Sequence, residues 1–237
     1  MKKQIILVIL AIGLIASCSK IRSAQTDSVN LSPKDSLAAV KAAQALPEEP
    51  FFDIVTNMGT IRVRLFKDTP RHRDNFETLA LSGYYDSLLF HRVINGFVIQ
   101  GGDPFTRDTL LRDKWGEGGP SYRIPAEIKG ADGQPLHLHV KGALAAARES
   151  DLANPFKESS GSQFYLVQDP EHCKHLDGEY TVFGETVAGL HVIDAIAGTQ
   201  TDRLDRPVRE LRILSIKPNK ELNSKDFGTE IATDKTE

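Results

Sequence analysis

The sequence lacks several things that would point to common functions. Only two cysteines occur in 237 residues, which leaves room for at most one disulfide. Twenty-nine lysines and arginines face 32 aspartates and glutamates, a net charge of −3; no basic excess suggests nucleic acid, and no acidic run suggests a solvating tail domain. There is no internal repeat. The glycine run Gly116-Glu117-Gly118-Gly119-Pro120 has no strand before it and no Lys-Ser/Thr helix start after it, so it is not a phosphate loop. Glu171-His172-Cys173-Lys174-His175 groups potential metal ligands, but no second cluster at usual spacing completes a site, and no metal is expected. Ser162 and the histidines form no recognisable nucleophile, base and acid set. What remains is a chain with 40% apolar residues, long enough for one good-sized domain plus tails.

The one long apolar run lies at the N-terminus. Lys2 and Lys3 precede Ile5 to Ile15, an apolar stretch too short to span a bilayer stably. Ile15-Ala16-Ser17-Cys18 follows. An aliphatic residue, two small residues and a cysteine resemble the bacterial lipobox, in which the cysteine is acylated and becomes the new N-terminus. The expectation is therefore a lipoprotein signal peptide at 1–17, lipidation at Cys18, and attachment to the bacterial cell envelope facing the periplasm, with the choice of inner or outer membrane open. Acyl chains would anchor firmly, at about 0.8 kcal/mol per buried methylene. With Cys18 acylated, Cys173 is left as a free thiol or pairs with another chain. Residues 18–49 are rich in Ser, Ala, Gln, Lys and Asp and read as a flexible tether, with a short helix at Ser36–Leu46.

A domain at 50–217 follows. Ile61, Val63 and Leu65 alternate with Arg62 and Arg64, the pattern of a half-buried antiparallel strand. Thr69-Pro70 starts a helix, with threonine as N-cap and proline at the first helical position. Residues 104–139 read as a long loop. Gly142–Ala147 is a strand of small residues that lets a backbone or ligand come close. Val192, Ile193 and Ile196 mark a second short helix, Leu211–Ile216 a last strand, and 218–237 a disordered polar tail. Many short strands with two helices indicate an all-β barrel or sandwich.

The centre of this domain is Phe90 to Asp103, FHRVINGFVIQGGD. Asn95-Gly96 between two apolar runs is a hairpin signal in which both central residues take positive φ. Arg92 and Gln100 interrupt runs that otherwise suit a buried strand. A buried guanidinium is costly unless something pairs with it, so either a carboxylate satisfies Arg92 or Arg92 lines a cleft.

This stretch, with Gly161 to Val167 (GSQFYLV) and Leu176 to Gly184 (LDGEYTVFG), resembles the cyclophilin family of peptidyl-prolyl cis/trans isomerases. The three blocks occur in the family's order, and the resemblance runs from about Phe51 to Lys217. It implies an eight-stranded antiparallel β-barrel capped by two helices, no cofactor, and proline-containing polypeptides as partners, with a monomer expected. Rotation about an X-Pro bond crosses roughly 18–20 kcal/mol because amide resonance is broken. No nucleophile or metal is needed; a fixed, permanently charged donor stabilises the twisted amide. On the resemblance, Arg92 is that donor and Gln100 positions it or binds substrate backbone. Phe97, Val98, Tyr165 and Leu176 floor the proline pocket, while Ala147, Arg148 and Gln163 line the peptide groove.

Four positions depart from the best-known eukaryotic pattern. Val98 replaces a methionine, Tyr165 a phenylalanine and Tyr180 a histidine. His175 replaces a tryptophan that helps bind cyclosporin, so tight cyclosporin binding is not expected. A strict two-residue turn would put Arg92 and Phe97 on one face and Val98 and Gln100 on the other. A bulge near Gly96–Val98 is therefore expected. The favoured reading is an isomerase assisting the folding of exported proteins. The rivals are a proline-binding chaperone or scaffold without turnover, and a purely structural envelope lipoprotein.

Overall fold

The computed structural model describes residues 33–224. The expected signal peptide, the acylation site Cys18 and residues 225–237 of the expected tail lie outside the described residues. Ten strands carry the domain: β1 (Phe51–Thr56), β2 (Gly59–Leu65), β3 (Arg92–Val93), β4 (Val98–Gly101), β5 (Arg123–Ile124), β6 (Ala143–Ala146), β7 (Ser159–Ser160), β8 (Phe164–Val167), β9 (Val182–Ala188) and β10 (Ile213–Pro218). Eight form one antiparallel sheet in the order β10-β1-β2-β9-β6-β8-β4-β3, and β5 pairs with β7 apart from it. The sheet curls until its margins meet: Phe90 N–H donates to Leu211 O at 2.9 Å, and Ile213 N–H to Leu88 O at 2.8 Å.

The period of two explains which side faces in. Ile61, Val63 and Leu65 of β2 are fully buried, as are Phe52 and Ile54 of β1. The alternate residues pair outside: Arg62 with Asp53 at 2.7 Å and Arg64 with Glu185 at 2.5 Å. Partly exposed ion pairs contribute up to about 1 kcal/mol each, whereas a fully buried aliphatic side chain contributes about 1.5–3 kcal/mol. The inner face therefore sets the register. Helix α2 (Pro70–Leu81) inserts Phe76 among Phe52, Tyr85, Phe164 and Phe183, with ring centroids 5.2 to 5.9 Å away. Helix α3 (Leu190–Ala197) buries Val192, Ile193 and Ile196 in the same core.

Thr69 does sit before α2, but its side chain does not cap the helix; the hydroxyl turns to Phe66 O. The cap comes from the long 104–139 segment instead. The Glu127 carboxylate accepts from the amides of Arg71 and His72 at 3.0 Å each and meets His72 Nδ1 at 2.6 Å. Burial alone would raise this carboxyl, but the His72 ring and the two amides outweigh it and hold Glu127 below the usual carboxylate value. Glu127→Ala is expected to lower stability by about 1–3 kcal/mol. Because its folded-state value is depressed, the wild-type contribution is present above the ordinary carboxylate range and lost as pH falls through the lowered value. Urea unfolding of both proteins across pH should show the difference shrinking in acid.

The short helix expected within the tether, at Ser36–Leu46, is α1 and runs from Pro33 to Ala43; with Ala39 buried and Leu46 packed on the core, this end of the expected flexible tether is part of the folded domain. At the other end, the tail expected to be disordered from residue 218 is folded as far as 224. Pro218 still pairs with Phe52, and Asn223, in a short helix α4 (Lys220–Asn223), bonds both the N–H and the C=O of Phe51. Those backbone bonds anchor it.

Candidate active site

Three neighbouring strands, β4, β6 and β8, are buried on both faces. Ile99, Leu144, Ala146, Phe164 and Leu166 point into the barrel core. Their alternates, Val98, Ala143, Ala145, Ala147, Tyr165 and Val167, form a second apolar cluster with Cys173, Leu176 and Val182. That outer cluster is the floor of the site. The small residues of β6 keep it low.

The hairpin differs from expectation by one residue. Asn95 is not among the residues with positive φ, and only Gly96 takes it, at 77°. Phe97 N–H donates to Ile94 O, while Ile94 N–H donates to Val98 O, so Phe97 belongs to the loop and not to the strand. The extra residue shifts the register: Arg92 pairs with Gln100 and Val93 with Ile99. The expected bulge is thus a longer turn, and it sets Arg92, Val98 and Gln100 on one face. The turn is fixed from outside by Gln168, whose side chain accepts from Gly96 N–H at 2.8 Å.

Arg92, Phe97, Val98, Gln100, Ala147, Arg148, Tyr165, His175, Leu176 and Tyr180 all line one cleft of about 320 Å³. Arg92 is not locked inside: its side chain is 41% exposed, and the Asp205 carboxylate, itself 46% exposed, stands 4.0 Å away. Its Nη1 reaches Gln100 Oε1 at 3.5 Å, and its Cζ lies 5.9 Å from the Phe97 ring centroid. His175 stacks on Phe97, with ring centroids 5.9 Å apart and planes 14° from parallel.

Gln163 lines the adjoining groove instead, and holds the floor in place. It accepts from Gln100 Nε2 at 3.0 Å and donates to the carbonyls of Gly116 and Gly118 at 2.9 and 2.8 Å. That groove, about 580 Å³, runs past Gly116–Pro120 and also borders Gln100, Ala147 and Arg148. The glycine run thus edges a peptide-sized channel. Arg123, Glu149 and Glu158 also line it, and nothing in their local sequence marked them.

Arg148 is a wall and not a free donor. Its guanidinium is 4% exposed, bonded to the carbonyls of Glu179 and Glu149 and to Asp151, with Cζ 4.2 Å from the Tyr180 ring centroid. Cys173 is fully buried with Sγ directed at Phe97 O, and burial pushes its thiol up to about 12. A thiol so enclosed does not suit pairing with another chain.

A curled antiparallel sheet with a half-exposed guanidinium on the rim of an apolar notch, opening into an extended groove, has the form of a polypeptide-binding site with one fixed charged donor. Residues 51–218 match the family model for "Cyclophilin type peptidyl-prolyl cis-trans isomerase/CLD". The sequence is 38% identical over 159 residues to an Arabidopsis thaliana peptidyl-prolyl cis-trans isomerase (67% of this chain, 89% of that one). It is 39% identical over 158 residues to one from Helicobacter pylori (65% and 83%). A longer Rhizopus delemar relative is 38% identical over 175 residues, and there the chain spans only 29% of the relative's length. The crystal structure of a Cryptosporidium parvum cyclophilin superposes with a TM-score of 0.62 at 29% identity, covering 72% of this chain and 98% of that one. That protein has also been crystallised in the presence of the dipeptide Ala-Pro. The chain belongs to the cyclophilin-type peptidyl-prolyl cis-trans isomerases.

Proposed function

We propose that this isomerase is held at the bacterial envelope by a lipid on Cys18 and accelerates X-Pro rotation in exported polypeptides. The observation that carries the catalytic part is Arg92, charged, half-exposed and unlocked beside the apolar cleft. A proline ring seated on Val98, Tyr165 and Leu176 would present its carbonyl and nitrogen to that guanidinium. As the amide twists, its nitrogen loses resonance and becomes basic, so a donor aimed there binds the transition state better than either ground state. Gln100, held by Gln163, keeps the donor in place. The Ala-Pro dipeptide used with the Cryptosporidium protein supports proline peptides as the ligand class.

The anchor rests on the sequence around Cys18. Mass analysis of the mature N-terminus is expected to give a chain beginning at a modified Cys18, and Cys18→Ser is expected to move the isomerase activity from the membrane to the soluble fraction. A mature chain starting elsewhere, with activity soluble from the outset, would sink the anchor and leave the isomerase untouched.

A further inference from the structure

The floor of the proline site is wired to two residues outside it. Tyr165, 4% exposed, directs its hydroxyl away from the cleft to His139 Nε2 at 2.8 Å. His139, whose side chain is fully buried, meets Asp177 Oδ1 through Nδ1 at 2.8 Å. The same carboxylate oxygen accepts from the His139 amide, also at 2.8 Å. The His139 and Tyr165 rings lie 10° from parallel.

We propose that His139, oriented by Asp177, is a positioning residue that fixes Tyr165 as the floor of the proline pocket, and that protonating His139 reverses that hydrogen bond, leaves the phenolic hydrogen without an acceptor and so loosens the floor and weakens proline binding in acid. The donor logic allows one neutral arrangement. Asp177 Oδ1 already accepts from the His139 amide and is the acceptor here too, so Nδ1 carries the hydrogen and Nε2 accepts from the phenolic O–H. A second proton on the ring turns Nε2 into a donor. Tyr165 must then turn its own hydrogen elsewhere, and among the described residues its hydroxyl has no other hydrogen-bond partner. Burial lowers the His139 value, with Asp177 opposing and His175 reinforcing, so the neutral form prevails at neutral pH and the switch falls below the usual histidine range. Around Tyr165 stand Tyr180, Cys173, Arg148 and Asp177; burial raises the phenol well above its ordinary value, so it remains a donor throughout.

The inference rests on the isomerase reading but not on the anchor. Its test follows kcat, KM and, by NMR titration, the binding of a proline tetrapeptide across pH. The wild type is expected to lose affinity about fivefold in acid, the scale of one net hydrogen bond, with kcat nearly unchanged. Tyr165→Phe keeps the phenyl ring but has no hydroxyl to reorient, so its affinity should be flat over the same interval, whatever its plateau. His139→Gln offers an amide oxygen that accepts the phenolic hydrogen and does not titrate, so its affinity too should be flat over the same interval, whatever its plateau. An acid limb that persists in either folded variant overturns the proposal, as does a wild type whose affinity does not change. Absence of turnover in the wild type would instead defeat the isomerase reading, with the titration still deciding this one.

Discussion

Arg92→Ala is expected to cut kcat/KM for a proline tetrapeptide by about 10²–10³-fold, the usual cost of removing one preorganised donor from a developing charge. Most of the loss should fall on kcat. In the ground state the amide nitrogen is planar and a poor acceptor, so the guanidinium gains its partner only as the bond twists. The rest of the notch should survive the change, because Val98, Tyr165 and Leu176 are buried within one apolar cluster of β4, β6 and β8 with Cys173 and Val182. Stability should move by no more than about 0.5 kcal/mol, since the removed side chain is 41% exposed and its carboxylate neighbour sits at 4.0 Å. Arg92→Lys restores the charge without the planar fork and should recover only part of the rate. A protease-coupled or NMR exchange assay at matched folding decides the matter. Equal rates above the uncatalysed one would take Arg92 out of the catalytic role, and equal rates at the uncatalysed level would leave a proline-binding module.

How much of this was legible beforehand depends on how local each cause is. The alternation Ile61, Val63, Leu65 against Arg62, Arg64 is a property of five consecutive residues, and it falls within β2. Helix α2 begins at Pro70 as its sequence indicates, but the group that caps it is Glu127, 55 residues beyond His72, and no local pattern connects them. The hairpin at Asn95-Gly96 is readable as a turn, and so is the need for one extra residue near Gly96–Val98, but not that the residue is taken up in the loop. What decides between a two- and a three-residue loop is the grip of Gln168 on Gly96 and Phe97, from a segment 72 residues on. The site shows the same division. Arg92, Gln100 and the floor residues follow from the family's three blocks. The pairing of His139 with Asp177 does not: Asp177 lies in the third block but His139 lies outside all three, 38 residues from Asp177 and 26 from Tyr165, and only the fold unites them. Their one local trace is a tyrosine where the family has a phenylalanine, since a buried hydroxyl needs a partner.

The largest structural effect is expected from Asp103→Asn, a change of one atom. Asp103 is fully buried and organises the segment after the hairpin. Its Oδ1 accepts from Phe105 N–H at 2.7 Å; its Oδ2 accepts from Gly116 N–H and, at 3.3 Å, from Gly118 N–H. Burial raises this carboxyl above its ordinary value, while those three amides pull it back down. An asparagine in the same place cannot serve both sides. Whichever way its amide turns, the NH₂ group faces a backbone N–H, and at least one buried donor loses its acceptor. With each orphaned buried donor costing about 1–3 kcal/mol, and the facing hydrogens adding to it, a loss of about 3 kcal/mol is expected. Space forbids easy relief, because Gly118 lies so close that a Cβ there would stand 2.1 Å from Asp103 Oδ1. The damage should reach catalysis too. The carbonyls of Gly116 and Gly118 hold Gln163, Gln163 holds Gln100, and Gln100 contacts Arg92. Urea unfolding and kcat/KM measured on the same preparation should therefore fall together, with kcat/KM reduced even where the variant is fully folded. A folded Asp103→Asn of wild-type stability would mean that the glycine segment holds its shape without that carboxylate, and that Gln100 owes its position to β4 and β8 alone.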